Sequence, residues 1–142
     1  MLRLGRSRLD VAVETVTLID SLQMAAADRE RVADRCRACA ETQIVVTHGT
    51  DTMTHRIEPA TGDISTQPST AAAIAARRLN KTIVLTGAMI PYAFGSSDGL
   101  FNLGSALSLV QVLPPGVYVA MNGLVCDWDR CVKDIDGRFR TR

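Results

Sequence analysis

The 142-residue sequence has no run of apolar residues close to the roughly 20 needed for a helix that spans a bilayer. It also has no charge imbalance, since 16 lysines and arginines offset 15 aspartates and glutamates to a net charge of +1. Such a balance gives no electrostatic basis for binding nucleic acid or an anionic membrane. These absences predict that neither a nucleic acid nor a membrane is a partner.

The amino terminus lacks the uninterrupted apolar core of a secretion signal. Residues 1–8 are basic, but Asp10 and Glu14 fall where that core would have to lie. We therefore expect a cytoplasmic protein, of a length suited to one domain.

The cysteines and histidines also lack the spacing that a zinc site requires. Cys36 and Cys39 form a C-x-x-C pair within a predicted helix, while Cys126 and Cys131 are too widely spaced to complete a zinc site, and the two histidines fit no finger pattern. The sequence favours free thiols over a metal site, and no metal or cofactor is predicted.

Strands and helices alternate along the chain. Runs of β-branched or apolar residues predict strands at 11–18, 43–47, 82–86 and 117–121. Apolar periodicity or alanine-rich composition predicts helices at 28–41, 71–79 and about 99–112. This order predicts a three-layer α-β-α fold, of the α/β class, with a largely parallel four-stranded sheet and helices on both faces.

Residues 54–69 do not fit this alternation. They contain Pro59, Gly62 and Pro68, with turn-forming polar residues between them. Long loops of this kind are uncommon unless they are functional or disordered. The composition predicts an exposed, mobile segment that proteases cut rapidly between Pro59 and Pro68.

A dense polar cluster, His-Gly-Thr-Asp-Thr at 48–52, directly follows the predicted strand 43–47. Open parallel sheets bind ligands at the carboxyl ends of their strands, so this cluster is expected on a binding rim. Gly49 permits a tight turn, Thr50 supplies a hydroxyl and Asp51 a carboxylate. Taken alone, these residues could equally be helix caps, because Ser, Thr and Asp are favoured there.

Several stretches resemble the bacterial-type L-asparaginase family, most closely its short single-domain members. Residues 45–53 are similar to the family's T-H-G-T-D-T-M signature, and 20–24 to its D-S-x-x-M turn. Residues 81–103 are similar to its G-A-M…D-G…N-L block, and 116–133 continue in the same register. The resemblance implies the fold of the family's N-terminal domain over residues 1–142.

By this resemblance, Thr50, Asp51 and Lys133 fall on the threonine, aspartate and lysine of the family's second catalytic triad. Taken alone, Lys133 would be an ordinary solvated lysine. Beside Asp51, however, a lysine removed from water can lose its proton and then accept one from a threonine hydroxyl.

The resemblance also implies a substrate site formed by Ser21, Gly49, Thr50, Asp51 and Ala88. Ser21 falls on the serine that contacts the substrate carboxylate, and Asp51 on the residue that binds the α-ammonium group. Ala88 falls where a backbone carbonyl meets the amide nitrogen. The implied partner is a small amino acid, and the implied assembly is a homo-oligomer.

Residues 1–142 depart from the family pattern. They contain neither the T-G-G-T-I motif of the family's first strand, which carries the primary nucleophile, nor the carboxyl-terminal domain of its larger members. Residues 54–69 also separate the T-D-T-M signature from the helix that directly follows it in the family. We therefore expect weak or absent ammonia release from residues 1–142 alone, with recovery when a strand carrying T-G-G-T-I is supplied.

Two functions remain open from the sequence. The first is an L-asparaginase-type amidohydrolase, which splits the side-chain amide of asparagine to aspartate and ammonia. The second is a catalytically impaired relative that binds an amino acid or pairs with a complete subunit. A flavodoxin-like nucleotide or response-regulator domain fits the order of elements but lacks a phosphate-cradling glycine-rich loop.

Overall fold

The computed structural model describes residues 1–142 and contains seven strands and three α-helices. The strands are β1 (Gln43–Thr47), β2 (His55–Arg56), β3 (Thr82–Thr86), β4 (Gly116–Met121), β5 (Leu124–Asp127), β6 (Cys131–Lys133) and β7 (Phe139–Thr141). The helices are α1 (Ala26–Ala38), α2 (Thr70–Ala75) and α3 (Gly99–Leu109), with short 3-10 helices at Ser21–Gln23 and Tyr92–Phe94. None of the helices is both long and apolar enough to cross a bilayer.

The central sheet has the order β1-β3-β4-β5. β1, β3 and β4 run parallel, with Val45 opposite Val84 and Val84 opposite Tyr118. β5 returns antiparallel to β4. Asn122 and Gly123 form the connecting turn, and both have positive φ, at 51° and 85°. The α/β fold class and the three parallel strands predicted from apolar runs are confirmed.

The fourth strand of the sheet is not the one predicted. Residues 11–18 form no strand; only Val16 and Thr17 are partly buried, and Val16 packs on the core. A β-branched sequence becomes a strand only when a neighbouring strand pairs with it, and none does so here. β5 supplies the fourth strand instead, so the predicted β-α-β-α-β-α-β order is corrected at its first element.

The sheet is covered on both faces. α1 and α2 pack together on one side, over a core that includes Val32, Ile74 and Ile83. α3 packs on the other side, where Ala106 and Val110 meet Val84. β3 lies between these layers, and all five of its residues are buried. This arrangement explains why its sequence is continuously apolar except at its terminal threonines.

Each helix ends earlier than predicted, at 38, 75 and 109 instead of 41, 79 and 112. At the end of α1 the Lys81 Nζ donates hydrogen bonds to the carbonyl oxygens of Cys36, at 2.9 Å, and Cys39, at 2.6 Å. After α2, Arg78 takes a positive φ of 49°, which no helix continues through. These two helices therefore end where a tertiary contact or a change of backbone conformation stops them, and apolar periodicity in the sequence does not predict either.

Residues 54–69 are not the fully exposed loop that their composition predicts. β2 pairs in parallel with β6, which pairs antiparallel with β7 to make a second, three-stranded sheet. Thr54 is buried, and its hydroxyl donates to the Cys131 carbonyl at 3.0 Å. The amide of Ile57 donates to the Lys133 carbonyl at 2.8 Å. The start of this segment, residues 54–57, is thus joined to the second sheet, because its polar groups find partners on β6.

Limited proteolysis of the native protein is expected to cut residues 54–69 only within 59–64 and 66–68. These nine residues are exposed, whereas Thr54, Ser65 and Ser69 are buried and β2 is hydrogen-bonded to β6. Mass spectrometry of the first fragments locates the cuts. Residues 10–15, which are exposed and in no regular element, are the internal control for accessible chain. Early cuts at 54–58 would show that the β2–β6 pairing is absent in solution.

Candidate active site

Thr50, Asp51 and Lys133 lie in direct contact. Lys133 Nζ donates hydrogen bonds to Thr50 Oγ1 at 3.0 Å and to Asp51 Oδ1 at 2.7 Å. Thr50 and Asp51 follow the carboxyl end of β1, whereas Lys133 ends β6 in the second sheet. The site therefore joins two sheets across a sequence separation of 83 residues between Thr50 and Lys133.

Burial and charge suit this cluster to proton transfer. Lys133 and Thr50 are buried, whereas the Asp51 side chain is partly open to solvent. A buried ammonium group is costly unless an opposite charge and hydrogen bonds compensate it, and Asp51 supplies that charge. The 3.0 Å contact between Lys133 Nζ and Thr50 Oγ1 is the geometry that proton transfer between the two groups requires.

Close backbone approach brings Ser21 beside the cluster. A Cβ atom at Gly49 would lie 2.6 Å from Ser21 Oγ, so only glycine fits at that position. The Thr52 hydroxyl donates to the Ser21 carbonyl at 2.8 Å, which fixes the turn after Ser21 against the loop after β1. Ser21 therefore lies against the loop that carries Gly49, Thr50 and Asp51.

Ala88 lies in the loop after β3, the neighbouring strand. It forms no hydrogen bond with Thr50, Asp51 or Lys133, and its carbonyl accepts none within the chain. Its neighbour Gly87 is packed so closely on the loop after β1 that a Cβ there would lie 2.3 Å from the His48 carbonyl oxygen. Ala88 therefore follows a residue that packs on the loop after β1, but it forms no hydrogen bond with Thr50, Asp51 or Lys133.

Polar residues for which the sequence indicated no role hold the loop after β3, which contains Ala88. Asn102 Nδ2 donates to the Gly87 carbonyl at 2.9 Å and to Asp98 Oδ2 at 2.8 Å, and Asn102 Oδ1 accepts from the Asn122 amide at 2.9 Å. Asn102 is fully buried on the face of α3 that packs against the sheet. A lone amide among the apolar residues of that face is the signal that could have identified it.

Asp98 completes this scaffold. Its carboxylate accepts hydrogen bonds from the amides of Met89 and Ile90, both at 3.1 Å, and from Asn122 Nδ2 at 3.0 Å. Burial opposes the charged form, but these hydrogen bonds outweigh it and lower the pKa of the carboxyl group. Asp98 therefore stays ionised and holds the loop that contains Ala88.

His48 connects the end of β1 to the start of α2. Its Nδ1 lies 2.7 Å from the Gly49 carbonyl, and its Nε2 lies 2.7 Å from Thr70 Oγ1. Burial lowers the pKa of the imidazole, so the folded protein favours its neutral form. His48 therefore has a structural role, since it joins the loop after β1 to the first residue of α2.

The free energy of unfolding is expected to fall between pH 7 and pH 5, and His48→Gln is expected to flatten that dependence. Because folding lowers the pKa of His48, its contribution is fully present above the usual histidine pKa and is lost as the pH falls through the lower folded value. Urea unfolding at several pH values measures the slope. His55→Gln is the comparison variant, since burial also lowers the pKa of that ring, and it should flatten the dependence as well. An unchanged slope in His48→Gln would assign the acid sensitivity elsewhere.

None of the four cysteines forms a disulfide bond. Burial raises the pKa of Cys36 to about 11, which keeps this thiol protonated and unreactive. No group of three or more His, Cys, Asp or Glu side chains is arranged to hold a metal ion.

The structure thus brings a threonine hydroxyl, a carboxylate and a buried lysine together beside the end of a parallel sheet, a combination of groups that can take part in nucleophilic or acid–base chemistry. The sequence profile described as Asparaginase, N-terminal matches residues 3–139, and the chain therefore belongs to the asparaginase family. An L-asparaginase of Thermococcus kodakarensis is 36% identical over 77 residues, which cover 54% of this chain and 20% of that relative. The matched region thus spans one-fifth of the relative's length. The resemblance stated from the signature motifs is confirmed.

Proposed function

We propose that this chain is an asparaginase-type amidohydrolase, folded as one domain, that converts the side-chain amide of L-asparagine to L-aspartate and ammonia. The observation that carries the proposal is the 3.0 Å contact between Lys133 Nζ and Thr50 Oγ1, within a chain of the asparaginase family. A hydroxyl in contact with a buried amine is the pairing that nucleophilic amide hydrolysis requires.

In the proposed reaction of residues 1–142 alone, Thr50 is the nucleophile and Lys133 the base. When a strand carrying T-G-G-T-I is supplied, Thr50 and Lys133 instead help to activate attack by the threonine of that strand. Lys133 takes the hydroxyl proton as Thr50 Oγ1 attacks the amide carbon, and it returns that proton to the leaving nitrogen as the carbon–nitrogen bond breaks. Water then hydrolyses the acyl ester, which releases aspartate and restores the Thr50 hydroxyl. Backbone amides of the loop after β1 hold the oxyanion.

The substrate is proposed to lie between the loops after β1 and β3. Asp51 binds its α-ammonium group, and Ser21 and Gly49 lie at its carboxylate. The free carbonyl of Ala88 meets the amide nitrogen. The proximity of Ser21 and Gly49 to Asp51, and the unpaired carbonyl of Ala88, support these roles.

A second candidate is a relative with impaired catalysis that binds an amino acid or pairs with a complete subunit. One observation favours it, since residues 1–142 contain no T-G-G-T-I motif. In addition, β1 stands at the edge of the central sheet with β3 as its only neighbour. A further strand, supplied in trans, could pair there.

Ammonia release from L-asparagine separates the two candidates. We expect slow release from residues 1–142 and faster release when a strand carrying T-G-G-T-I is supplied. Thr50→Ala and Lys133→Ala should each lower the rate by about 1,000-fold or more. Thr66→Ala, at an exposed threonine, is the control and should leave the rate unchanged. Aspartate binding without ammonia release in either form would establish the binding module instead.

A cytoplasmic location and a homo-oligomeric state also belong to this proposal, and they follow from the sequence composition and the family resemblance. Light scattering of the purified chain measures the oligomeric state. Comparing asparagine with glutamine in the ammonia assay determines which side chain the site prefers.

A further inference from the structure

Arg29 is a buried arginine without a counter-ion. It lies on α1 and is 7% exposed. Its one side-chain hydrogen bond runs from Nη1 to the Met24 carbonyl at 2.7 Å, and its Nε is buried with no partner. It forms no salt bridge within the chain. A buried guanidinium is costly unless an anion pairs with it, so an anion from outside the chain is expected there.

Arg29 lines a cleft of about 260 Å³ together with Arg56 and Asp51. Arg56 belongs to β2, within the segment that separates the T-D-T-M signature from α2. Its Nε donates to Glu58 Oε1 at 3.2 Å, while its two terminal nitrogens have no partner in the chain. The cleft therefore holds two arginines with unused donors beside the carboxylate assigned to ammonium binding.

The side chains around this cleft carry one more positive charge than negative charges. Three cationic side chains, Arg29, Arg56 and Lys133, stand against two carboxylates, Asp51 and Glu58. Both carboxylates are already paired, Asp51 with Lys133 and Glu58 with Arg56. The unpaired positive charge is that of Arg29. A ligand that carries both a carboxylate and an ammonium group fits this arrangement, because the carboxylate would pair with Arg29 and the ammonium group would lie at Asp51 Oδ2, which has no partner in the chain.

We propose that Arg29 and Arg56 form an anion subsite beside Asp51, which acts together with Ser21 on the carboxylate of the amino-acid ligand. The proposal rests on the proposed function, because that function supplies a ligand with both charges. Guanidinium groups bind carboxylates through paired, charge-assisted N–H donors, and these would add to the single hydrogen bond that the Ser21 hydroxyl can donate. Segment 54–69 then contributes to substrate specificity through Arg56.

Calorimetry on the full chain tests the subsite with three probes: L-aspartate, succinate and inorganic phosphate. Succinate has carboxylates but no ammonium group, so it isolates the anion contacts from those of Asp51. Arg56→Gln and Arg29→Gln are each expected to weaken binding of aspartate and succinate by about tenfold or more. Arg31→Gln is the matched control, since Arg31 lies on the same helix and its side chain is 55% exposed. It should bind as the parent chain does.

Unchanged affinity for aspartate and succinate in Arg56→Gln overturns the proposal, and so does a parent chain that binds none of the probes. If Arg29→Gln does not fold, Arg56→Gln decides, because Arg56 is only half-buried. Loss of phosphate binding alone would show a phosphate site and overturn the carboxylate assignment. The ammonia assay separates this inference from the proposed function. Ammonia release with unchanged binding in the arginine variants removes only the subsite, and weakened binding without ammonia release removes only the hydrolase.

Discussion

Asp51→Ala is expected to lower the free energy of unfolding by about 2 to 3 kcal/mol, more than Lys133→Met does. The Lys133 side chain is 11% exposed, so without Asp51 its charge would be left with only the Thr50 hydroxyl. Asp51 is 42% exposed, and water can solvate its carboxylate when the lysine is removed. This partial exposure also keeps the expected loss below that of a fully buried pair. Urea unfolding measures both variants.

Asp34→Ala is the matched control for the loss of Asp51. Asp34 is 49% exposed and pairs with arginines on the surface, so its removal should cost less than about 1 kcal/mol. If Asp51→Ala costs no more than this control, the pair with Lys133 does not stabilise the fold. Asp51→Ala should also lose the calorimetric signal of aspartate binding, because the α-ammonium group of aspartate would have no counter-charge in the site. Unchanged binding would remove Asp51 from the ligand site.

Asn102→Leu is expected to lower the free energy of unfolding by about 3 kcal/mol. Leucine has a similar volume, but it leaves the Gly87 carbonyl, the Asp98 carboxylate and the Asn122 amide without their shared partner. A buried polar group that loses its partner costs about 1 to 3 kcal/mol, and part of this cost is recovered where water can enter. Chemical denaturation measures the loss, and hydrogen exchange should accelerate in the loop after β3.

Asn80→Leu provides the control for this substitution, since Asn80 is exposed and its side chain forms no hydrogen bond within the chain. Its effect should stay within about 0.5 kcal/mol. A loss of less than about 1 kcal/mol in Asn102→Leu would mean that the segments of Gly87, Asp98 and Asn122 are held together by packing alone.

The sequence by itself determined the central parallel strands, the three helices and the family. Apolar runs such as Thr82–Thr86 and helical periodicity are local patterns, and the layers on both faces of the sheet follow from them. The T-H-G-T-D-T-M signature at 47–53 is also local, so the family and the candidate residues Thr50 and Asp51 could be named without coordinates. Where each helix ends was less predictable, because Lys81 ends α1 through contacts from another element.

The tertiary structure decided which segments found partners. Residues 11–18 have the composition of a strand but no neighbour to pair with, whereas 55–57 have the composition of a loop and form backbone hydrogen bonds with β6. The contact of Lys133 with Thr50 and the cleft between Arg29 and Arg56 join residues that are distant in the sequence. Backbone pairing, burial and ion pairing each depend on two groups that the fold brings together. A local sequence pattern describes only one of these two groups.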